Sequence, residues 1–210
     1  MIYKYREPKT CLWSNIYTFD IETEGLDARK DSFIYGVVYD GRRFHRFDDP
    51  DKMRDKMQEL ANAGKVGVAH NFEYDLTSLF GNLIRAAAHY IHRSRFLYIT
   101  IQYDKGKRHR RLKFLDSMNI FPCSVKDIGD IVDLPKLESD YNYKPGQEIT
   151  EDDWRYCERD CEIVYKGVKD LRRLIKTFGI DLRMTLASTV FQLNNKCLYE
   201  AGMTLSLIHI

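Results

Sequence analysis

The sequence predicts an α/β protein in which a mixed β-sheet is flanked by helices. Two pairs of strand-like segments are each joined by a tight turn, a short apolar strand lies between two helices, and the second half is mainly helical. This order of elements is typical of a sheet with both parallel and antiparallel pairs. With 210 residues, 44% hydrophobic and 30% charged, the chain is long enough to bury the core of such a domain.

The first half of the chain contains the predicted sheet. Alternating apolar runs predict strands, and Asp40-Gly41 and the segment 104–107 predict the turns of two hairpins. Helical spacing of apolar residues, with Gly64 after the first helix, predicts two helices. The predicted strands are 16–21, 33–39, 43–47, 65–69, 96–103 and 110–115, and the predicted helices are 51–63 and 72–88.

The second half contains three further predicted helices. A short helix over 124–132 is followed by a loop that contains proline and tyrosine. Thr150 begins a long helix that extends to about residue 177, and Asp153 stands where a capping box requires an acid. The last helix is predicted over 185–200. The apolar stripe of the long helix consists of Cys157, Cys161, Val164, Val168, Leu171 and Ile175.

Composition and charge limit the functional classes. The net charge of +2 creates no global field that would require nucleic acid, so any basic surface must be local. No apolar run is long enough to span a bilayer, and the start of the chain lacks a secretory signal. The five cysteines are an odd number without a C-x-x-C pair, which favours a reducing compartment. We therefore expect a soluble, cytoplasmic, monomeric protein, with Cys157 and Cys161 packed in its core rather than bound to zinc.

The first strand ends in two acids, Asp20 and Glu22. Residues two apart on a strand point to the same face, and two carboxylates this close raise the pKa of one another. Taken alone, the pair could be solvated acids at a strand end. The other interpretation is that a positive ion belongs between them.

Two further motifs contain acids. Asn71 and Asp75 stand at the start of a predicted helix, where an ordinary cap and a first-turn acid would also be found. Tyr156 and Asp160 share one face of the long helix, at the rim of its apolar stripe, where an ordinary rim pair is the alternative. His70 is interpreted as a packing or loop residue. Together, Asp20 and the other three acids would suit two Mg²⁺ or Mn²⁺ ions, because these ions prefer oxygen ligands and a pair of them clamps a phosphodiester.

In this order the three motifs, F-D-I-E-T at 19–23, N-F-E-Y-D at 71–75 and Y-x-x-x-D at 156–160, resemble those of DEDD-type 3′→5′ exonucleases of the tyrosine subclass. Residues 105–134 and 149–165 are similar to the exonuclease domain of protein-primed family B DNA polymerases, which are replicases of phages and mobile elements. The likeness extends from about residue 16 to about residue 188. It implies a ribonuclease-H-like fold with an inserted basic hairpin, and a proofreading exonuclease that acts on single-stranded DNA.

The resemblance implies roles for the acids and for Tyr156. Asp20, Glu22 and Asp160 would bind one divalent ion, Mg²⁺ or Mn²⁺, and Asp20 would also bridge to a second. Asp75 would act through a water on the metal, and Tyr156 would position the nucleophile.

The resemblance also implies residues that assist catalysis or hold DNA. Lys136 would assist catalysis, although Ser139 stands where a hydrophobic residue is expected. The 3′ end of the strand would be held by Thr23, Asn71 and Tyr74, and single-stranded DNA would be contacted by Ser117 and Met118, with Met118 in place of a leucine. A basic hairpin is either a solvated tip or a phosphate-binding surface, and it consists of Lys105, Lys107, Arg108, His109, Arg110, Arg111 and Lys113.

The motifs that carry polymerase chemistry in that family do not occur. We therefore expect residues 1–180 to form the exonuclease domain, 181–204 to begin a helical link to a polymerase domain, and 205–210 to be a tail derived from a sequencing adaptor. A priming terminal protein is a second expected partner. Two other functions stay open: a module that binds single-stranded DNA or a priming protein without cutting, and a free-standing exoribonuclease of the same superfamily, which a comparison of DNA with RNA would reveal.

Overall fold

The structure is a computed structural model that describes residues 12–25, 33–81, 88–92, 95–105, 108–138 and 148–201. The strands are β1 (Ile16–Thr23), β2 (Phe33–Tyr39), β3 (Phe44–Phe47), β4 (Val66–Ala69), β5 (Ala88–His92), β6 (Arg95–Lys105) and β7 (Arg108–Asp116). The helices are α1 (Pro50–Asn62), α2 (Glu73–Phe80), α3 (Val125–Ile131), α4 (Glu151–Thr177) and α5 (Leu186–Glu200), with a short 3-10 helix at Ser117–Asn119.

Within the described residues, seven strands form one sheet in the order β3-β2-β1-β4-β7-β6-β5. β4 lies at the centre and pairs in parallel with β1 and β7. The other neighbouring pairs are antiparallel, and they include both predicted hairpins. The predicted fold class, a ribonuclease-H-like mixed sheet flanked by helices with an inserted hairpin, is confirmed.

The sheet separates two apolar layers. Every second residue of β1, beginning with Tyr17, packs with side chains of α1 and α2 on one face. The intervening residues begin with Ile16, which packs with side chains of α3 and α4 on the other face. Asp20 and Glu22 belong to this second set. Their carboxylates therefore point toward the layer that contains α4.

The helices begin at the predicted positions. The Thr150 side chain accepts a hydrogen bond from the backbone N–H of Asp153, and the Asp153 carboxylate accepts one from the Thr150 N–H over 2.8 Å, which confirms the predicted capping box. Ser124 and Thr185 begin α3 and α5 in the same reciprocal way. None of the described helices combines the length and the apolar character needed to cross a membrane.

The prediction for the second helix is wrong at its C-terminal end. α2 ends at Phe80 rather than at residue 88, because Gly81 has a backbone φ of +51°, which a continuing helix does not allow. Ala88 begins β5, which pairs with β6 at the edge of the sheet and was not predicted. Leu83 and Ile84, whose spacing extended the predicted helix, lie outside the described residues.

Candidate active site

The acid pair at the end of β1 lies against the middle of α4. Two residues before Asp20, the Thr18 hydroxyl donates a hydrogen bond to the Cys161 carbonyl oxygen over 2.8 Å. A second hydrogen bond has its donor on α4 and its acceptor on β1: the Cys157 thiol donates to the Asp20 carbonyl oxygen over 3.5 Å. Both cysteines are buried in one apolar cluster, which confirms that they pack in the core. These two bonds bring Asp20 alongside the turn of α4 that carries Asp160.

The four predicted acids share one electrostatic environment. Burial and the neighbouring Asp160 raise the pKa of Asp20 from 3.8 to about 7, and burial together with Asp20 and Asp160 raises the pKa of Glu22 from 4.5 to about 8. Burial, followed by Asp20 and Glu22, raises the pKa of Asp75 well above its usual value. Burial also raises the pKa of Asp160, against the lowering effect of Lys136. The fold therefore brings together acids from β1, α2 and α4 that are far apart in sequence.

The donor chemistry of this group suits a hard divalent cation, because carboxylate oxygens are the ligands that Mg²⁺ and Mn²⁺ prefer. One oxygen of Asp160, Oδ1, is buried and has no hydrogen-bond partner among the described residues. Within the same residues, however, no three His, Cys, Asp or Glu side chains converge closely enough to hold one ion. The oxygen donors therefore have the right chemistry for such a cation, although in this arrangement no three of the described side chains surround one point.

Lys136 contacts both members of the third motif. Its ammonium group forms an ion pair with Oδ2 of Asp160 and lies 4.4 Å from the centroid of the Tyr156 ring. Tyr156 is itself buried, with 3% of its surface exposed. A cation between a carboxylate and an aromatic face fixes the relative positions of both groups.

The segment that carries Lys136 is held by two cations of α4. Lys166 donates to the Val132 carbonyl oxygen over 2.7 Å, and Arg159 donates to the Pro135 carbonyl oxygen over 3.2 Å. Because these donors lie on the same helix as Asp160, the loop and the third motif form one unit. The predicted anomaly at residue 139 lies outside the described residues.

The residues predicted to hold a 3′ end lie around the end of β1 and the start of α2. The hydroxyl groups of Thr23 and Tyr74 both donate to the Gly25 carbonyl oxygen, over 2.6 and 2.5 Å, and they also contact each other. Asn71 is exposed and has a backbone φ of +59°, a left-handed conformation that asparagine tolerates better than most residues. These contacts join the first and second motifs next to the acids.

The predicted DNA contacts at Ser117 and Met118 lie just after β7. Ser117 is fully buried; its hydroxyl donates to the Ala69 carbonyl oxygen over 3.1 Å and lies 2.9 Å from Nδ1 of His70. The other ring nitrogen of His70 lies 2.8 Å from the Cys123 carbonyl oxygen, so His70 connects three segments as a packing residue. Met118 is partly exposed. The DNA-binding roles of Ser117 and Met118 stay predictions.

One acid near the site, Asp116, was missed at the sequence level. It is the last residue of β7, only 9% of its surface is exposed, and its Oδ1 accepts hydrogen bonds from the backbone N–H groups of Asn71 and Met118. Its charge also contributes to the raised pKa of Asp75. The sequence contained a signal for this acid, because Asp116, like Asp20, comes directly after apolar residues of a predicted strand.

The predicted basic hairpin is formed by β6 and β7. The structure does not describe the side chains of residues 105–110, which include most of the basic groups of this hairpin. Arg111 is exposed and Lys113 is partly exposed. Both alternatives for this hairpin, a solvated tip and a phosphate-binding surface, stay predictions.

The raised pKa values predict how stability depends on pH in the absence of divalent ions. A carboxyl group whose pKa is raised by folding favours the folded state at low pH, and this contribution is lost as the pH rises through the folded pKa. For Asp20 and Glu22 that window runs from their usual values of 3.8 and 4.5 to about 7 and about 8. In EDTA, we expect the melting temperature to fall by about 5 °C or more between about pH 5.5 and about pH 8.5.

Thermal unfolding followed by circular dichroism measures this dependence. A chain with Asp20→Asn and Glu22→Gln controls for all other titrating groups, and its melting temperature should depend less on pH. A wild-type melting temperature that stays constant or rises across the window would contradict the electrostatic interpretation.

The order of the strands and the positions of the helices define a ribonuclease-H-like α/β fold. No known protein-family model matches the chain, and no curated protein matches it. Among solved structures, Phi29 DNA polymerase complexed with single-stranded DNA is similar, with a TM-score of 0.69 and 18% identity over 89% of this chain and 35% of that chain. Phi29 DNA polymerase complexed with primer-template DNA gives a TM-score of 0.68 and 20% identity over 91% of this chain and 37% of that chain. The chain thus spans little more than a third of the polymerase chains that it matches, and at this identity the similarity establishes the fold.

Proposed function

We propose that this chain is the 3′→5′ exonuclease region of a DNA-directed DNA polymerase, and that it hydrolyses the terminal phosphodiester of single-stranded DNA. The observation that carries the proposal is a group of four buried or half-buried carboxylates from β1, α2 and α4, those of Asp20, Glu22, Asp75 and Asp160, whose pKa values are all raised by burial and, for the first three, by neighbouring acids of the group. Such a group opposes folding at neutral pH, and strongly perturbed carboxyls of this kind are typical of functional sites. The similarity of the fold to part of Phi29 DNA polymerase supports the same function.

The carboxylates are the residues that would hold two divalent ions, Mg²⁺ or Mn²⁺. When bound, these ions would supply activation of the attacking water and stabilisation of the charge that develops on the phosphate. Asp20 is the central member, because its charge affects both Glu22 and Asp75. Asp160 pairs with Lys136 through Oδ2, and its Oδ1 has no hydrogen-bond partner among the described residues. Asp160 can therefore offer Oδ1 to an ion and keep Lys136.

Residues beside the acids would position the water and the DNA strand. The Tyr156 hydroxyl, one helical turn from Asp160, would orient the attacking water, and Lys136 would hold the Tyr156 ring in place. Thr23, Asn71 and Tyr74 would hold the 3′ end.

The other DNA contact and the partners follow from the same proposal. Met118 would contact the DNA strand, and the buried Ser117 would support the segment that carries Met118. The partner is single-stranded DNA, and a priming terminal protein is a second proposed partner. We propose that the protein acts in the cytoplasm.

The proposal is tested with the purified chain and an oligodeoxynucleotide labelled at its 5′ end, in Mg²⁺ or Mn²⁺. We expect stepwise shortening from the 3′ end, with no shortening in EDTA. An RNA strand of the same sequence is the matched substrate, and faster shortening of RNA would instead indicate an exoribonuclease. Binding of DNA that survives EDTA, with no product in either metal, would indicate a binding module and contradict the proposal.

A further inference from the structure

We propose that Asp116 is a positioning residue that holds two predicted DNA-contacting segments, one at Asn71 and one at Met118, in a fixed relation to each other. This inference rests on the proposed function and extends it to a residue outside the three acid motifs. It concerns the binding of the DNA end rather than the chemistry of cleavage.

The geometry places Asp116 at the junction of the two segments. β4 and β7 are parallel, and their pairing ends with Ala69 opposite Asp116. Beyond that point, Oδ1 of Asp116 accepts the backbone N–H of Asn71 over 3.0 Å and that of Met118 over 2.9 Å. The side chain therefore continues the connection between the two strands after their backbone ladder has ended.

The backbone conformation of Asn71 explains why its hydrogen bond to Asp116 matters for the local structure. Its φ of +59° is a conformation in which a residue other than glycine costs free energy unless its surroundings stabilise it. A hydrogen bond from its N–H to a largely buried carboxylate provides this stabilisation, because a charged acceptor forms a stronger bond than a neutral one. Without the carboxylate, the N–H of Asn71 loses its acceptor and the turn before α2 is free to relax.

Two further observations separate Asp116 from the candidate metal ligands. Its Oδ1 is already occupied by two backbone donors, an arrangement that suits a structural acceptor better than an ion ligand. The segment that follows Asp116 is also linked to the end of β4, because the hydroxyl of the buried Ser117 forms hydrogen bonds with Ala69 and His70. Asp116 is the charged residue among those that link the end of β4 to the segment after β7. It lies close enough to Asp75 to raise the pKa of Asp75.

The test measures DNA binding without cleavage, by fluorescence anisotropy of a single-stranded oligonucleotide in EDTA. In the full chain, Asp116→Ala is expected to raise the Kd about tenfold, the effect of leaving two backbone donors without their charged acceptor. Asp116→Asn keeps an acceptor oxygen and is expected to stay within about threefold of the wild type. Amide hydrogen exchange should show faster exchange at Asn71 and Met118 in Asp116→Ala, and unchanged exchange in β1.

Asp49→Ala is the matched control, because the Asp49 carboxylate also accepts two backbone N–H groups, those of Asp51 and Lys52 at the start of α1. It is expected to lower the melting temperature and to leave the Kd unchanged. If Asp116→Ala does not fold, Asp116→Ser replaces it, since a serine can still cap Met118 but is too short to reach Asn71; the same rise in Kd is then expected.

A wild-type Kd in the folded Ala or Ser variant, or an Asn variant as weak as the Ala variant, would overturn the proposal. A wild-type chain that binds no DNA would instead overturn the proposed function, and the exchange rate of the Asn71 amide would still report whether Asp116 holds this turn.

Discussion

A chain with Asp20→Asn and Glu22→Gln is expected to lose exonuclease activity by at least about 1000-fold, because both side chains belong to a group that acts as a unit. The same chain is expected to melt at a higher temperature than the wild type in EDTA near pH 8. Burial and mutual repulsion raise the pKa of both carboxyls, so their charged forms destabilise the fold, and neutral side chains of the same shape remove this cost. Gel analysis of a labelled oligonucleotide and thermal unfolding measure the two effects.

Opposite changes in activity and stability are the characteristic result of this experiment. Asp152→Asn is the matched control, because the Asp152 side chain is an acid on the first turn of α4 that is 91% exposed; neither activity nor melting temperature should change appreciably. Undiminished shortening by the double variant would contradict the assignment of the acids. Loss of activity with a lower melting temperature would mean that the acids support the fold rather than oppose it.

Most strands of the sheet and the start of α4 could be predicted, because their signals lie in neighbouring residues of the sequence. Alternation in β1 and β2, the Asp40-Gly41 turn and the Thr150 capping box each depend on residues near one another in the chain. The end of α2 could not be predicted in this way. The helical spacing of apolar residues continued past Gly81, and only the observed φ of +51° shows that the helix stops there. β5 was missed because it is a short strand at the edge of the sheet.

The candidate site could be predicted in part. Three motifs in order predicted the four acids, and in the structure the charges of Asp20, Glu22 and Asp160 raise pKa values within this group. The contacts that hold them together involve ordinary residues, such as the Thr18 hydroxyl and the Cys157 thiol between β1 and α4. Nothing in the local sequence marks these residues, because their roles depend on partners more than a hundred positions away.

The second large effect is expected from Lys136→Met. Lys136 is the cation paired with Asp160, and it also lies against the Tyr156 ring. Its removal takes away the positive charge that opposes the effect of burial on the pKa of Asp160. We expect kcat to fall about 100-fold, a loss comparable to that of one preorganised electrostatic group. The acidic limb of the pH–rate profile should move to higher pH, while the KM for DNA changes little.

Lys169→Met distinguishes this effect from the general loss of a lysine that lies over a tyrosine ring. Lys169 lies 5.2 Å from the centroid of the Tyr165 ring and donates to the Ser14 carbonyl oxygen over 2.9 Å, so the substitution removes a similar contact away from the acids. Its kcat and pH profile should match those of the wild type. The shift of the acidic limb is the decisive measurement, because a merely structural role for Lys136 would lower the amount of active protein without changing the pH at which Asp160 ionises. A Lys136→Met chain with an unchanged pH profile would show that the ion pair with Asp160 does not control the state of the third motif.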